Sequence, residues 1–181
     1  MRNFHRRYDY LIRELEKHIS LHDKIVVDCG CGDGDGTVHF ARQNCKTIGL
    51  DLDKKRINIA KAAFPKLDFR VRSLLKTGLP DEYADVFICS ETMEHLSRSQ
   101  SLDAASEISR VCKPNSYVCI TVPENKKICL EKKGHKQYLS VKSLTRHFKD
   151  WEVVINTIFF KNPKNKKRGN RVMIFTRGQS V

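Results

Sequence analysis

The chain has 181 residues and a net charge of +13, from 34 Lys and Arg against 21 Asp and Glu. That length suits one domain, residues 1–181, with a sizeable core, and the charge favours a polyanionic partner while saying nothing of fold. No apolar run approaches a bilayer-spanning length, and Arg13, Glu14, Glu16 and Lys17 interrupt the N-terminal stretch where a signal peptide needs an apolar core. The seven cysteines include no Cys-x-x-Cys pair, and Cys89, Cys112 and Cys119 lie in or beside apolar stretches. They read as small buried thiols in a reducing compartment, so the expected location is the cytoplasm, away from membranes.

In chain order, Tyr8, Leu11, Ile12, Leu15 and Ile19 recur at helical spacing. They predict an amphipathic helix within residues 1–22 that packs beside a sheet. Lys24 to Cys29 then reads as a buried parallel strand. It runs into Gly30-Cys31-Gly32-Asp33-Gly34-Asp35-Gly36, with glycine at alternate positions, and a helix is expected from Thr37 to about Cys45. Strand, glycine loop and helix N-terminus in that order form the ligand-binding corner of open α/β sheets. A dinucleotide fingerprint wants a small residue at the sixth position from Gly30, and Asp35 stands there. A carboxylate would repel a phosphate at that helix start, and Asp33 adds a second negative charge, so the loop suits a cationic ligand.

Strand two, Thr47 to Asp51, ends in an acid able to accept both hydroxyls of an adenosine ribose, with Leu52 placed to lie against the adenine. Asp53 reads as the start of a helix from Lys54 to Phe64. Strand three is Leu67 to Val71, followed by Arg72-Ser73-Leu74, whose serine hydroxyl can accept a hydrogen bond. Pro80 to Tyr83 is a turn. Strand four, Ala84 to Cys89, delivers Ser90-Glu91-Thr92-Met93-Glu94-His95 at its carboxyl end. If that stretch opens a helix, Glu91, Glu94 and His95 share one face. A helix from Asp103 to Cys112, a turn at Lys113-Pro114-Asn115 and strand five, Tyr117 to Val122, follow. Residues 124–138 read as a long basic loop containing Gly134-His135, and Ser140 caps a helix reaching about Lys149. Trp151 to Phe160 and Arg171 to Arg177 are the last strands, joined by a second basic loop over 161–170.

The pattern Asp28-x-Gly30-x-Gly32-x-Gly34, the acid Asp51, Glu94-His95-Leu96 and Val111-Cys112-Lys113-Pro114 resemble the Rossmann-like S-adenosylmethionine-dependent methyltransferases, in the order that class shows them. The resemblance implies an α/β fold: one sheet of seven strands, the last antiparallel, with helices on both faces. It implies S-adenosylmethionine as cofactor, bound by Asp28, Gly30, Cys31, Gly32, Asp33, Gly34, Asp51, Leu52, Ser73, Leu74 and Ser90. Glu91-x-x-Glu94-His95 with His135-Lys136-Gln137-Tyr138 is similar, more narrowly, to the methyltransferases that modify the terminal ribose 2′-hydroxyl of small RNAs. That likeness implies that Glu91, Glu94, His95 and His135 hold a divalent metal and are catalytic. Two carboxylates and two imidazoles suit Mn²⁺, Co²⁺ or Zn²⁺ better than Mg²⁺.

The partner so implied is RNA or another anionic substrate. Lys126, Lys127, Lys132, Lys133 and Lys136 of the first basic loop, and Lys161, Lys164, Lys166, Lys167 and Arg168 of the second, would flank the methyl donor. Quinone-biosynthesis O-methyltransferases also carry Glu-x-x-Glu-His, so a small-metabolite acceptor stands as the alternative. A non-catalytic binding domain is a third class, opposed by the intact glycines, Asp51 and the acids after strand four.

Overall fold

The structure, a computed structural model, describes residues 3–160 and 169–178. Seven strands form one sheet: β1 (Ile25–Cys29), β2 (Lys46–Asp51), β3 (Asp68–Val71), β4 (Ala84–Ser90), β5 (Cys112–Pro123), β6 (Glu152–Phe160) and β7 (Gly169–Thr176). Their order is β3-β2-β1-β4-β5-β7-β6. The first five run parallel, and β7 is antiparallel to both β5 and β6. The chain therefore has the seven-stranded Rossmann-like architecture, last strand antiparallel, that its motifs imply. Winding reverses between β1 and β4, which are paired directly, Asp28 opposite Ile88 and Cys29 opposite Cys89. A crevice at that switch point is where open α/β sheets bind ligands.

Among the described residues six α-helices cover the sheet: α1 (Asn3–Leu15), α2 (Thr37–Ala41), α3 (Lys54–Ala63), α4 (Arg98–Val111), α5 (Lys126–Glu131) and α6 (Val141–His147). Strand alternation sends Val86 and Ile88 to the face under α1, and Phe87 and Cys89 to the face under α4 and α6. Tyr8, Leu11, Ile12 and Leu15 of α1 are buried on the first face, each by about 1.5–3 kcal/mol of apolar burial. None of the described helices is long and apolar enough to cross a membrane.

Several local readings change. The helix expected from Thr37 to Cys45 ends at Ala41, because the chain turns at Arg42 to Asn44 and Asn44 adopts φ +58°. Helix α4 begins five residues earlier than Asp103, at Arg98. Ser97 caps it: its hydroxyl accepts from the Gln100 amide, and the Gln100 side chain accepts from the Ser97 amide. The expected Lys113-Pro114-Asn115 turn is absorbed into β5, where Cys112 pairs with Ala84 across a register shift and Asn115 takes φ +59°. The segment 124–138 is not all loop. Asn125 accepts from the Ile128 amide and starts α5, whose Cys129 is buried. The second basic stretch, Lys161 to Arg168, lies outside the described residues.

Candidate active site

Two glycines show what the loop after β1 requires. Gly30 has φ +84°, and a Cβ there would stand 2.0 Å from Thr92 Oγ1. A Cβ on Gly36 would stand 2.1 Å from the Tyr8 ring. The loop is thus clamped between the strand-four turn and α1, with no space for a side chain at Gly30 or Gly36.

A cavity of about 260 Å³ opens over this loop. Gly30, Cys31, Gly32, Asp33 and Ser90, all expected from the sequence to meet the cofactor, line it. Arg7 and Tyr8 of α1 line it too, which the sequence reading missed by treating Tyr8 only as core. Asp51 stands beside the loop. Its Oδ2 accepts from the Gly32 amide at 2.8 Å and its Oδ1 from the Asp53 amide at 2.9 Å, so each oxygen keeps a lone pair for another donor. Leu52 is 73% exposed next to it, an apolar surface open to a ring. Asp53 caps α3, as expected, by accepting from the Lys55 and Arg56 amides.

Three expected cofactor contacts, Asp28, Gly34 and Leu74, are placed differently. Asp28 is buried beneath the loop and accepts from Thr37 Oγ1 at 2.8 Å and from the Tyr8 hydroxyl at 3.3 Å. Burial raises its carboxyl to about 6, against the pull of those two hydrogen bonds. Gly34 packs on Phe69 and Ala60, since its missing Cβ faces them. Leu74 sits in the core. Ser73 uses its hydroxyl oxygen to accept from the Leu75 amide at 3.1 Å and keeps a second lone pair for another donor. Asp33 also pairs with Arg56 at 2.9 Å, so the acidity inferred for this loop is partly neutralised.

Beyond the carboxyl end of β4, Glu94 and His95 lie in a single 3₁₀ turn, Met93–His95. The segment after α5 is sewn to that turn: the amides of Lys136 and Gln137 donate to the Glu94 carbonyl, and Gln137 Nε2 donates to the carbonyls of Leu96 and Ser97. This brings the His135 ring to 4.7 Å from the His95 ring, centroid to centroid, in an edge-to-face arrangement. Ligand atoms of Glu94, His95 and His135 all lie within 4.8 Å of one another. His95 Nδ1 faces the Gly134 carbonyl at 3.0 Å, and His135 Nδ1 faces Cys129 Sγ at 3.2 Å. Both rings are thereby held by Nδ1, which leaves Nε2 for a further partner.

Glu94 Oε1, Glu94 Oε2 and His135 Nε2 are buried without a hydrogen-bond partner among the described residues. Burial, reinforced by the Glu91 charge, raises the Glu94 carboxyl well above the usual carboxylate range. Burial and the Lys132 charge lower His135. Both shifts favour uncharged forms; a divalent cation would ionise Glu94 and take the neutral imidazole that His135 already offers. One carboxylate and two imidazoles fit a first-row divalent metal.

Glu91 does not join this cluster. It was expected on the same helical face, but it precedes the turn and adopts φ +55°, and its amide donates to the Thr121 carbonyl at 2.9 Å. Extending the β4–β5 ladder by one residue turns its side chain toward β5 and β7. There Oε1 accepts from Asn170 Nδ2 and, at 3.5 Å, from Thr121 Oγ1. A second cavity, about 510 Å³, adjoins: Glu91, Asn125, Lys132, His135 and Asn170 line it. Glu91 and Lys132 line both cavities and so mark their junction.

Comparison with known proteins agrees with the fold. A family model described as a methyltransferase domain matches residues 27–120. A probable S-adenosylmethionine-dependent methyltransferase of Mycolicibacterium smegmatis is 30% identical over 118 residues, which are 65% of this chain and 44% of that protein. A ubiquinone biosynthesis O-methyltransferase of Dechloromonas aromatica is 32% identical over 113 residues, 59% of this chain and 47% of its own. The chain spans about half the length of the curated relatives it matches. Among solved structures, a magnesium protoporphyrin IX methyltransferase of Synechocystis with bound S-adenosylmethionine superposes with TM-score 0.78 at 14% identity, over 97% of this chain and 80% of that one. That likeness concerns the fold. Glycine loop, switch-point cavity and family match together place this chain among the Rossmann-like S-adenosylmethionine-dependent methyltransferases of the methyltransferase-domain family.

Proposed function

We propose that the protein methylates a hydroxyl oxygen with the help of a divalent metal held by Glu94, His95 and His135. The reading rests on one observation above all: three buried polar atoms of Glu94 and His135 have no partner among the described residues, within reach of a second imidazole. Leaving such groups unsatisfied costs about 1–3 kcal/mol each, and a cation removes that cost. S-adenosylmethionine supplies an activated methyl group, so the protein's task is to place the nucleophile in line and exclude water. A bound divalent cation supplies charge that lowers the pKa of a hydroxyl and orients it. Gly30, Gly32 and Ser90 present the cofactor cavity, Asp51 accepts the ribose hydroxyls, and Leu52 covers the adenine. Asp28 and Gly34 shape the loop from beneath.

The acceptor we propose is an RNA with a free terminal ribose. Lys132 borders the acceptor cavity, and a further cavity of about 510 Å³ shares Asn125 and Gly169 with it and carries Lys126, Lys127 and Phe160. Lysines beside an aromatic ring suit a phosphodiester backbone with stacked bases. The net charge of +13 points the same way. A small catechol-like metabolite is the second reading, favoured by the likeness to ubiquinone biosynthesis O-methyltransferases. Both acceptors present adjacent hydroxyls. Labelled S-adenosylmethionine offered with a short RNA ending in a 2′,3′-diol, and separately with a catechol, tells them apart. Label in the RNA, absent when its end is 2′-deoxy, supports the first reading. Label only in the catechol supports the second.

A further inference from the structure

The Glu91–Asn170 contact belongs to no part of the metal cluster, yet it sits where the two cavities meet. Asn170 is 2% exposed and is the second residue of β7, after Gly169, whose carbonyl accepts from the amide of Glu124 just beyond β5. A carboxylate only accepts, so the Asn170 atom facing Glu91 Oε1 is the amide nitrogen. That fixes the amide's orientation and leaves Asn170 Oδ1 buried with no partner among the described residues, in a residue that lines the acceptor cavity. On Glu91 both hydrogen bonds fall on Oε1, so Oε2 remains for an incoming donor. The backbone around Glu91 is costly, a left-handed conformation at a residue with a long side chain. Such strain persists where surrounding contacts hold it, and here Thr121 and Asn170 do. Thr121 Oγ1 lies 2.8 Å from Ser90 Oγ, which continues the network to the cofactor cavity. The frame is rigid: Arg171, next to Asn170, pairs with Glu124 through Nε at 2.8 Å and again through its second nitrogen, and Tyr138 donates to the Glu124 carbonyl at 3.0 Å.

We infer that Glu91 and Asn170 seat the methyl acceptor, Glu91 Oε2 accepting the hydroxyl to be methylated and Asn170 Oδ1 accepting a second donor on the same molecule. Glu91 is then a catalytic residue and Asn170 a positioning residue that also contacts substrate. In the transfer, the hydroxyl proton passes to Glu91 Oε2 while the oxygen's electron pair forms the bond to the methyl carbon. The carbon–sulfur bond breaks with its electrons left on sulfur, which turns the sulfonium into a neutral thioether. The proton on Glu91 then leaves to water. The pairing selects acceptors with two neighbouring donors, such as a vicinal diol or a catechol, over a lone hydroxyl. This inference rests on the O-methylation reading above.

The test uses the full chain as wild type, Glu91→Gln, Asn170→Ala and Asn170→Asp. Mn²⁺ affinity is measured by calorimetry, as is affinity for the diol-ended RNA and for catechol with S-adenosylhomocysteine and Mn²⁺ present. Glu91→Gln should keep Mn²⁺ affinity within threefold while kcat on the methylated probe falls at least 100-fold. Asn170→Ala should weaken the probe at least tenfold in KM, and Asn170→Asp should weaken it further, because a second carboxylate repels Glu91. Cofactor affinity and Mn²⁺ affinity should stay near wild type in Asn170→Ala, which separates seating from a general disturbance of the fold. A tenfold loss of Mn²⁺ affinity in Glu91→Gln would make Glu91 a metal ligand and overturn the inference, as would unchanged kcat. A wild type that binds Mn²⁺ but neither probe also overturns it, whereas a wild type that binds no metal overturns the O-methylation reading itself.

Discussion

His135 Nε2 stands 4.0 Å from Glu94 Oε1, both side chains fully buried, too far apart for a hydrogen bond and close enough to share an ion. The two are joined by backbone rather than by each other, through the Lys136 amide on the Glu94 carbonyl. If a cation completes the site, these residues are kept for function at a cost in stability. Glu94→Met should therefore stabilise the metal-free protein by about 1–3 kcal/mol, a rise of several degrees in melting temperature. The same substitution should abolish the stabilisation that Mn²⁺ gives wild type and abolish methylation. A metal-free Glu94→Met protein that melts lower than wild type would show that the carboxylate is satisfied in some other way.

Asp51 is predicted to carry the ribose. Asp51→Ala removes the acceptor for two ribose hydroxyls and also frees the Gly32 and Asp53 amides it holds. S-adenosylhomocysteine should bind about 10–100-fold more weakly, equivalent to about 1.4–2.8 kcal/mol. Asp51→Asn should lose nearly as much, since an amide nitrogen would meet one of those donors. Calorimetry that finds undiminished affinity in both variants removes Asp51 from the cofactor site.

Asp28 sets a pH dependence. Its folded carboxyl is raised to about 6 from an ordinary value near 3.8, mainly by burial. The folded state thus holds this proton more tightly than the unfolded chain. The associated stability is fully present below about pH 4 and is lost as pH rises through about 6, up to about 3 kcal/mol in all. Urea unfolding at pH 4 and pH 7 should show a smaller drop in Asp28→Asn than in wild type. Equal drops in the two proteins would mean that Asp28 does not titrate in this window.

The RNA reading predicts salt dependence. Lys126 and Lys127 line the cavity next to the acceptor cavity. Each lysine that neutralises a phosphate adds roughly 0.7 to the slope of log affinity against log salt for a single strand. Replacing both with alanine should lower the slope by about 1.4, with catechol binding unaffected. RNA affinity that does not change with salt in wild type would favour the small-metabolite acceptor.

Much of the fold was legible because β-branched runs such as Ile25 to Val27 and the glycine loop leave few alternatives. The caps at Asp53 and Ser140 stand where the sequence puts them, for the local reason that their side chains bond amides two or three residues on. His135 near His95 was legible as well, from the resemblance. Glu91 was misplaced because helical spacing assumes helical φ, and its left-handed conformation is set by the ladder to Thr121, which no local pattern announces. Asn170, Arg7 and Tyr8 reach the cavities through tertiary contacts between distant segments. The α5 helix left one signal, Asn125 three residues before the amide it caps, obscured by the charges around it.

The most direct measurement is methyl transfer by the wild-type chain with chelator, with Mn²⁺ restored, and in His135→Ala, each alongside S-adenosylhomocysteine binding. The account predicts that label enters a hydroxyl of the diol-ended RNA or of catechol, that chelation and His135→Ala each abolish it, and that Mn²⁺ or Co²⁺ rescues the chelated wild type alone. Cofactor affinity should be unchanged in His135→Ala, because His135 lines the acceptor cavity and not the cofactor cavity, which His95 borders. Methyl transfer that proceeds undiminished in excess chelator would contradict a metal-assisted site built from Glu94, His95 and His135.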